Sequence, residues 1–79
     1  MIDFKKNIVK VGDVVTTFYT QDFTEDMDRT TLRTGKVVAI ESDDEYRVDW
    51  AKIEITIKVL GEDYHIYVYR RGNQILKVQ

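Results

Sequence analysis

Histidine occurs once in the chain, at His65, and cysteine does not occur. One copy therefore builds no thiolate centre, no disulfide and no multi-histidine metal site. His65 is the one side chain whose ordinary pKa lies near neutrality, which fits general acid or base work. Neither a nucleophile nor a carboxylate stands beside it in the sequence, and the single serine, Ser42, lies in a distant acidic run. Carboxylates are the most abundant reactive groups. Eight of the 14 acids fall in two runs: Asp22, Glu25, Asp26 and Asp28, then Glu41, Asp43, Asp44 and Glu45. Carboxylate oxygens suit a hard cation, but the spacing is not that of a helix-loop-helix calcium site and residues 22–28 contain no glycine. Two other readings of these acids stand. They keep two loops solvated, or they form an anionic surface that meets a basic partner or imitates nucleic-acid phosphates. With no glycine-rich phosphate loop either, the residues point away from catalysis and imply no cofactor and no metal.

Aromatic residues give a second cluster. From 63 to 70 apolar and polar types alternate, placing His65, Tyr67 and Tyr69 on one side of a strand and Ile66 and Val68 on the other. With Ile75 from the next strand, His65, Tyr67 and Tyr69 form one outward patch, joined by Glu54, Thr56, Lys58 and Lys77. Tyrosine favours solvent-facing strands through β preference alone. Exposed aromatics with a charged rim also characterise interface hot spots, and this patch would serve a homodimer. Bases could instead stack on Tyr67 and Tyr69, with Arg70 and Arg71 at the rim.

These residues need a scaffold. A chain of 79 residues forms one domain, 1–79, with a single thin core. Its net charge of −2 disfavours a nucleic-acid or membrane surface as main partner. The opening Met-Ile-Asp-Phe-Lys-Lys precedes no apolar signal core, and no run reaches the ~18 residues of a membrane helix. A cytoplasmic location without a membrane partner is expected. Proline is absent, and Gly12, Gly35, Gly61 and Gly72 punctuate runs rich in Val, Ile, Thr and Tyr. Five antiparallel strands follow, at about 14–20, 34–41, 45–59, 63–70 and 74–78, with a possible short edge strand from 2–4 and 8–11. In the third run, Tyr46, Val48 and Trp50 are apolar at even positions, and Ile53, Ile55, Ile57 and Val59 at odd ones. This parity switch predicts a bulge or corner at Ala51-Lys52. A three-residue loop at 42–44 would pair Ile40 with Tyr46 and Val38 with Val48. A turn at Gly61 places Ile53, Ile55 and Ile57 on one face with Tyr64, Ile66 and Val68. A three-residue hairpin at 71–73 pairs Val68 with Leu76 and Ile66 with Val78. The expected core is Val14 or Val15, Phe18, Val38, Ile40, Tyr46, Val48, Trp50, Ile53, Ile55, Ile57, Ile66, Val68, Leu76 and Val78. The long connection 21–34 carries a capping pair, Asp22 and Glu25, that would start a short helical turn. It serves either as an ordered plug held by Phe23, Met27 and Leu32 or as a mobile binding loop.

Val11-Gly12-Asp13-Val14-Val15 resembles the opening of KOW- and Tudor-type SH3-like domains. Thr34-Gly35-Lys36-Val37-Val38-Ala39-Ile40 is similar to their second strand. The resemblance spans about 11–48 and implies a five-stranded SH3-like barrel, a scaffold most often used for binding. Tyr64-His65-Ile66-Tyr67 is similar in shape to the pore strand of plasmid-type dihydrofolate reductases. His65 stands there where that family has glutamine, and the flanking residues differ. Together these readings imply an all-β, antiparallel, five-stranded SH3-like barrel with a long first loop. Its expected role is non-enzymatic: a regulator or inhibitor of bacterial or phage style. It would bind another protein, or itself as a homodimer, through Asp22, Glu25, Asp26 and Asp28 and through His65, Tyr67, Tyr69 and Ile75. The alternative is a KOW- or Tudor-like nucleic-acid-binding barrel.

Overall fold

The computed structural model describes residues 1–20 and 30–78. Five strands, β1 (Val14–Thr20), β2 (Thr30–Asp43), β3 (Val48–Val59), β4 (Glu62–Arg71) and β5 (Ile75–Lys77), form one sheet. Their order is β4-β3-β2-β1-β5, with every neighbouring pair antiparallel. β4 and β5 are its two edges, so the sheet is open where a closed barrel was expected. A 3₁₀ turn, Gly72–Gln74, is the one helical piece among the described residues.

The β3–β4 hairpin follows the sequence closely. Leu60 and Gly61 form a two-residue turn with φ of 52° and 82°. Such a turn matches the right-handed twist of the flanking strands and fixes their register. Ile53, Ile55 and Ile57 therefore lie opposite Val68, Ile66 and Tyr64, as the alternation predicted. The three isoleucines are buried, with Ile66 and Val68 packed against them. Each fully buried aliphatic side chain contributes roughly 1.5–3 kcal/mol.

The parity switch expected at Ala51-Lys52 is absent. β3 pairs with β4 without interruption from Trp50 to Val59, and its buried positions stay odd from Ala51 to Ile57. The register shift lies between Val37 and Ala39. Val37 is buried and, past the extra residue Val38, Ile40 packs against the core opposite Ala51. The sequence misled because Trp50, Val48 and Tyr46 are large and apolar but sit on the outer side, whereas inward Ala51 is small. The preceding turn is also longer than expected. Asp43 pairs with Val48, so the chain reverses through 44–47, and Tyr46 is exposed. β2 itself extends beyond its expected limits at both ends.

Past β4 the fold departs from the expected hairpin. The 3₁₀ turn carries the chain away from β4, and β5 pairs with β1 instead, Thr17 opposite Ile75 and Thr16 opposite Leu76. Ile75 is consequently core, at 1% exposure, while Leu76 and Val78 are turned outward. Phe18, another expected core residue, is exposed; Val15 and Thr17, on the strand's inner face, are buried. The Thr17 hydroxyl donates to the Gln74 carbonyl at 3.0 Å, so its burial leaves no hydroxyl unsatisfied.

The first ten residues form a loop with no strand of their own, and it contributes Val9 to the core. A single bridge joins Ile2 to Ile8, and Val9 is buried. Asp3 is buried and holds this loop to β5. Its Oδ1 accepts from the Lys5 and Asn7 amides, and its Oδ2 from the Lys77 amide at 2.8 Å and the Asn7 side chain. Burial pushes the Asp3 carboxyl up, but these hydrogen bonds together outweigh it and hold the group below its ordinary value.

Candidate functional site

The inner face is filled, so ligand chemistry falls to the outer one. Outward residues on β3 are Trp50, Lys52, Glu54 and Thr56, and pairing sets them opposite Arg71, Tyr69, Tyr67 and His65 on β4. The structure thus brings His65, Tyr67 and Tyr69 together on one exposed row. Ile75 is not among them, because its strand joins the other end of the sheet and turns it inward. Asp22, Glu25, Asp26 and Asp28 lie outside the described residues, as does any helical turn that they would start.

Neighbouring charges organise this row. The Lys52 ammonium stands 4.6 Å from the Tyr67 ring centroid, and the Arg71 guanidinium 4.9 Å from that of Trp50. Both are cation–π distances. His65 Nδ1 lies 3.1 Å from the Thr56 hydroxyl and 3.7 Å from a Glu54 carboxylate oxygen. Both partners meet the same ring nitrogen. His65 is solvated, its side chain 66% exposed.

Two shallow hollows mark the surface. One, of about 300 Å³, is lined by Asp43, Tyr46, Val48, Trp50 and Arg71. Two aromatic rings, a carboxylate and a guanidinium thus meet at the end of the aromatic row. The other, of about 310 Å³, has an apolar lining that includes Phe4, Phe18, Leu32 and Leu76. Phe18 pairs directly with Leu32 across β1 and β2, and both are exposed. Sequence reasoning placed Phe18 and Leu76 in the core and Leu32 in a loop plug. Their types could not reveal exposure, since the pairing of β5 with β1 decides it.

Elsewhere, Lys77 reaches Asp13 at 3.5 Å and the Ile8 carbonyl at 3.3 Å. The Lys10 amide, opposed by burial and aided by Lys77, lowers the Asp13 carboxyl below its ordinary range. This cluster fastens the N-terminal loop. Among the described residues, no three acids or histidines gather where they could hold a metal ion, and no helix is long and apolar enough to cross a membrane. Comparison of the chain with family models, curated proteins and solved structures gives no match.

Proposed function

We propose that the chain is a non-enzymatic binding module, an SH3-like small β domain that docks another protein on the outer face of its sheet. One observation carries this reading: Tyr67, Tyr69 and His65 are aligned on an exposed surface with half-buried Trp50 at the end of the row, bordered by Lys52, Arg71 and Glu54. Rigid aromatic rings lose little side-chain freedom on binding, and a charged border sets orientation and partner choice. Asp22, Glu25, Asp26 and Asp28 supply a second contact for a basic region of that partner.

A second reading is a KOW- or Tudor-like nucleic-acid binder. It is favoured by the two cations, Lys52 and Arg71, standing over aromatic rings, an arrangement that also suits stacked bases and nearby phosphates. The net charge of −2 weighs against it. Affinity capture from the source cell, with and without nuclease treatment, separates the two. Protein binding predicts a defined set of captured proteins that survives the nuclease. Capture abolished by nuclease, together with retardation of DNA or RNA that weakens steeply with added salt, would replace the first reading by the second.

A further inference from the structure

β4 is a long free edge. Among the described residues it pairs with β3 over its full length, from Trp50 and Arg71 to Val59 and Glu62, without a register shift, and with no other strand; at its C-terminal end the Arg71 amide donates to Gln74 Oε1 and Arg70 Nη2 to the Phe18 carbonyl. The tight turn at Leu60-Gly61 is closed by a hydrogen-bonded pair, and such pairs alternate along an antiparallel ladder. Even-numbered β4 residues therefore direct their main-chain groups to β3. The N–H and C=O groups of His65, Tyr67 and Tyr69 point out of the sheet. Among the described residues no main-chain group outside the β3–β4 ladder bonds to them. The Tyr69 carbonyl accepts one bond from Arg70 Nη1 and keeps a second lone pair.

Proteins ordinarily protect such edges with proline, lysine, a bulge or a short strand. The stretch Tyr64-His65-Ile66-Tyr67-Val68-Tyr69 has none of these devices. Its charges lie at its two ends and are opposite in sign: Glu62 and Asp63 precede it, Arg70 and Arg71 follow. A strand that begins acidic and ends basic complements a copy of itself running antiparallel. A two-fold axis also requires each residue to meet one equally far from the centre. This keeps odd positions opposite odd ones, so inner faces join inner faces.

We propose that β4 pairs with β4 of a second copy, antiparallel about Tyr67, so that two sheets become one. In this register Tyr67 meets the partner's Tyr67, His65 meets the partner's Tyr69, and Asp63 meets the partner's Arg71. On the inner side Ile66 meets the partner's Val68. The contact is made by the edge and does not rest on the sheet-face reading above, because main-chain groups carry it.

Sedimentation equilibrium of the whole chain across a wide concentration range, paired with residue-resolved amide exchange, tests it. The mass should rise with concentration to twice 9.3 kDa. The amides of His65, Tyr67 and Tyr69 should gain protection over the same range, while those of Ile66 and Val68 are protected throughout. Asp63→Arg and Arg71→Asp alone should each weaken association about tenfold, since symmetry doubles every change, and the double reversal should restore it. His65→Pro should abolish association and preserve the fold, because the lost N–H lies outside the ladder. A chain monomeric at every concentration would overturn the proposal. So would a dimer whose odd-numbered β4 amides exchange freely, or a double reversal that fails to recover association. The charge-reversal series decides the matter even where the proline variant does not fold.

Discussion

At Leu60 the backbone φ is +52° and the side chain is 100% exposed, so the residue bears left-handed strain and buries nothing in return. Asparagine accepts this conformation more readily, and Asn-Gly is the favoured pair for such a turn. Leu60→Asn should raise stability by about 0.5–1 kcal/mol, read as a higher urea midpoint with an unchanged slope. Gly35 is the opposite case. Its backbone crosses β3 so closely that a Cβ would collide with the Glu54 carbonyl and with the Ile53 and Ile55 methyl groups. Gly35→Ala should cost about 3 kcal/mol or more, a large share of the total for a chain this size. Equilibrium denaturation checks both. Asp3 sets the acid limit. Its folded pKa lies below the ordinary 3.8, so the stabilisation it gives is complete above that value and is lost as pH falls through the folded one. Urea midpoints should therefore decline below about pH 4. Asp3→Asn should lower the midpoint at neutral pH and flatten the acid decline.

At the scale of elements, local patterns were legible and long-range partners were not. Alternation and Gly61 alone identify the β3–β4 hairpin and its register, because a two-residue turn leaves the pairing no freedom. The all-β class and the limits of β1 were equally plain from β-branched runs and Gly12. The bulge expected at Ala51-Lys52 was an error, since an outward tryptophan reads as core in a sequence, and the register shift between Val37 and Ala39 of β2 was not foreseen. β5 was misplaced for a different reason: its partner, β1, is some sixty residues away, and nothing local to Gly72 states that the chain crosses over instead of turning back. The candidate site shared this fate. His65, Tyr67 and Tyr69 stand together as alternation requires, whereas Ile75 went to the core with β5. Ile75→Ala should cost about 2–4 kcal/mol and Leu76→Ala less than about 1 kcal/mol. Thermal melts of the two variants would show the reverse order had β5 paired with β4.

Across the whole molecule, one side of an open sheet holds the core and the other holds most of the exposed aromatic surface. Burying Ile53, Ile55 and Ile57 under β2 leaves Trp50, Tyr67 and Tyr69 outward by the same two-residue period. Stability and recognition therefore occupy opposite faces of the same strands, and substitutions on the outer face should separate them. Replacing Tyr67 and Tyr69 together by serine tests this division most directly. Fold loss is expected to be modest, since solvent-facing pairs contribute about 0.2–1 kcal/mol each. Affinity capture from the source cell is then run side by side with the parent and the Tyr67→Ser/Tyr69→Ser chain, after circular dichroism has matched their folds. The account predicts that proteins retained by the parent are absent or strongly depleted with the variant. An identical set captured by both chains, at equal yield, would contradict it.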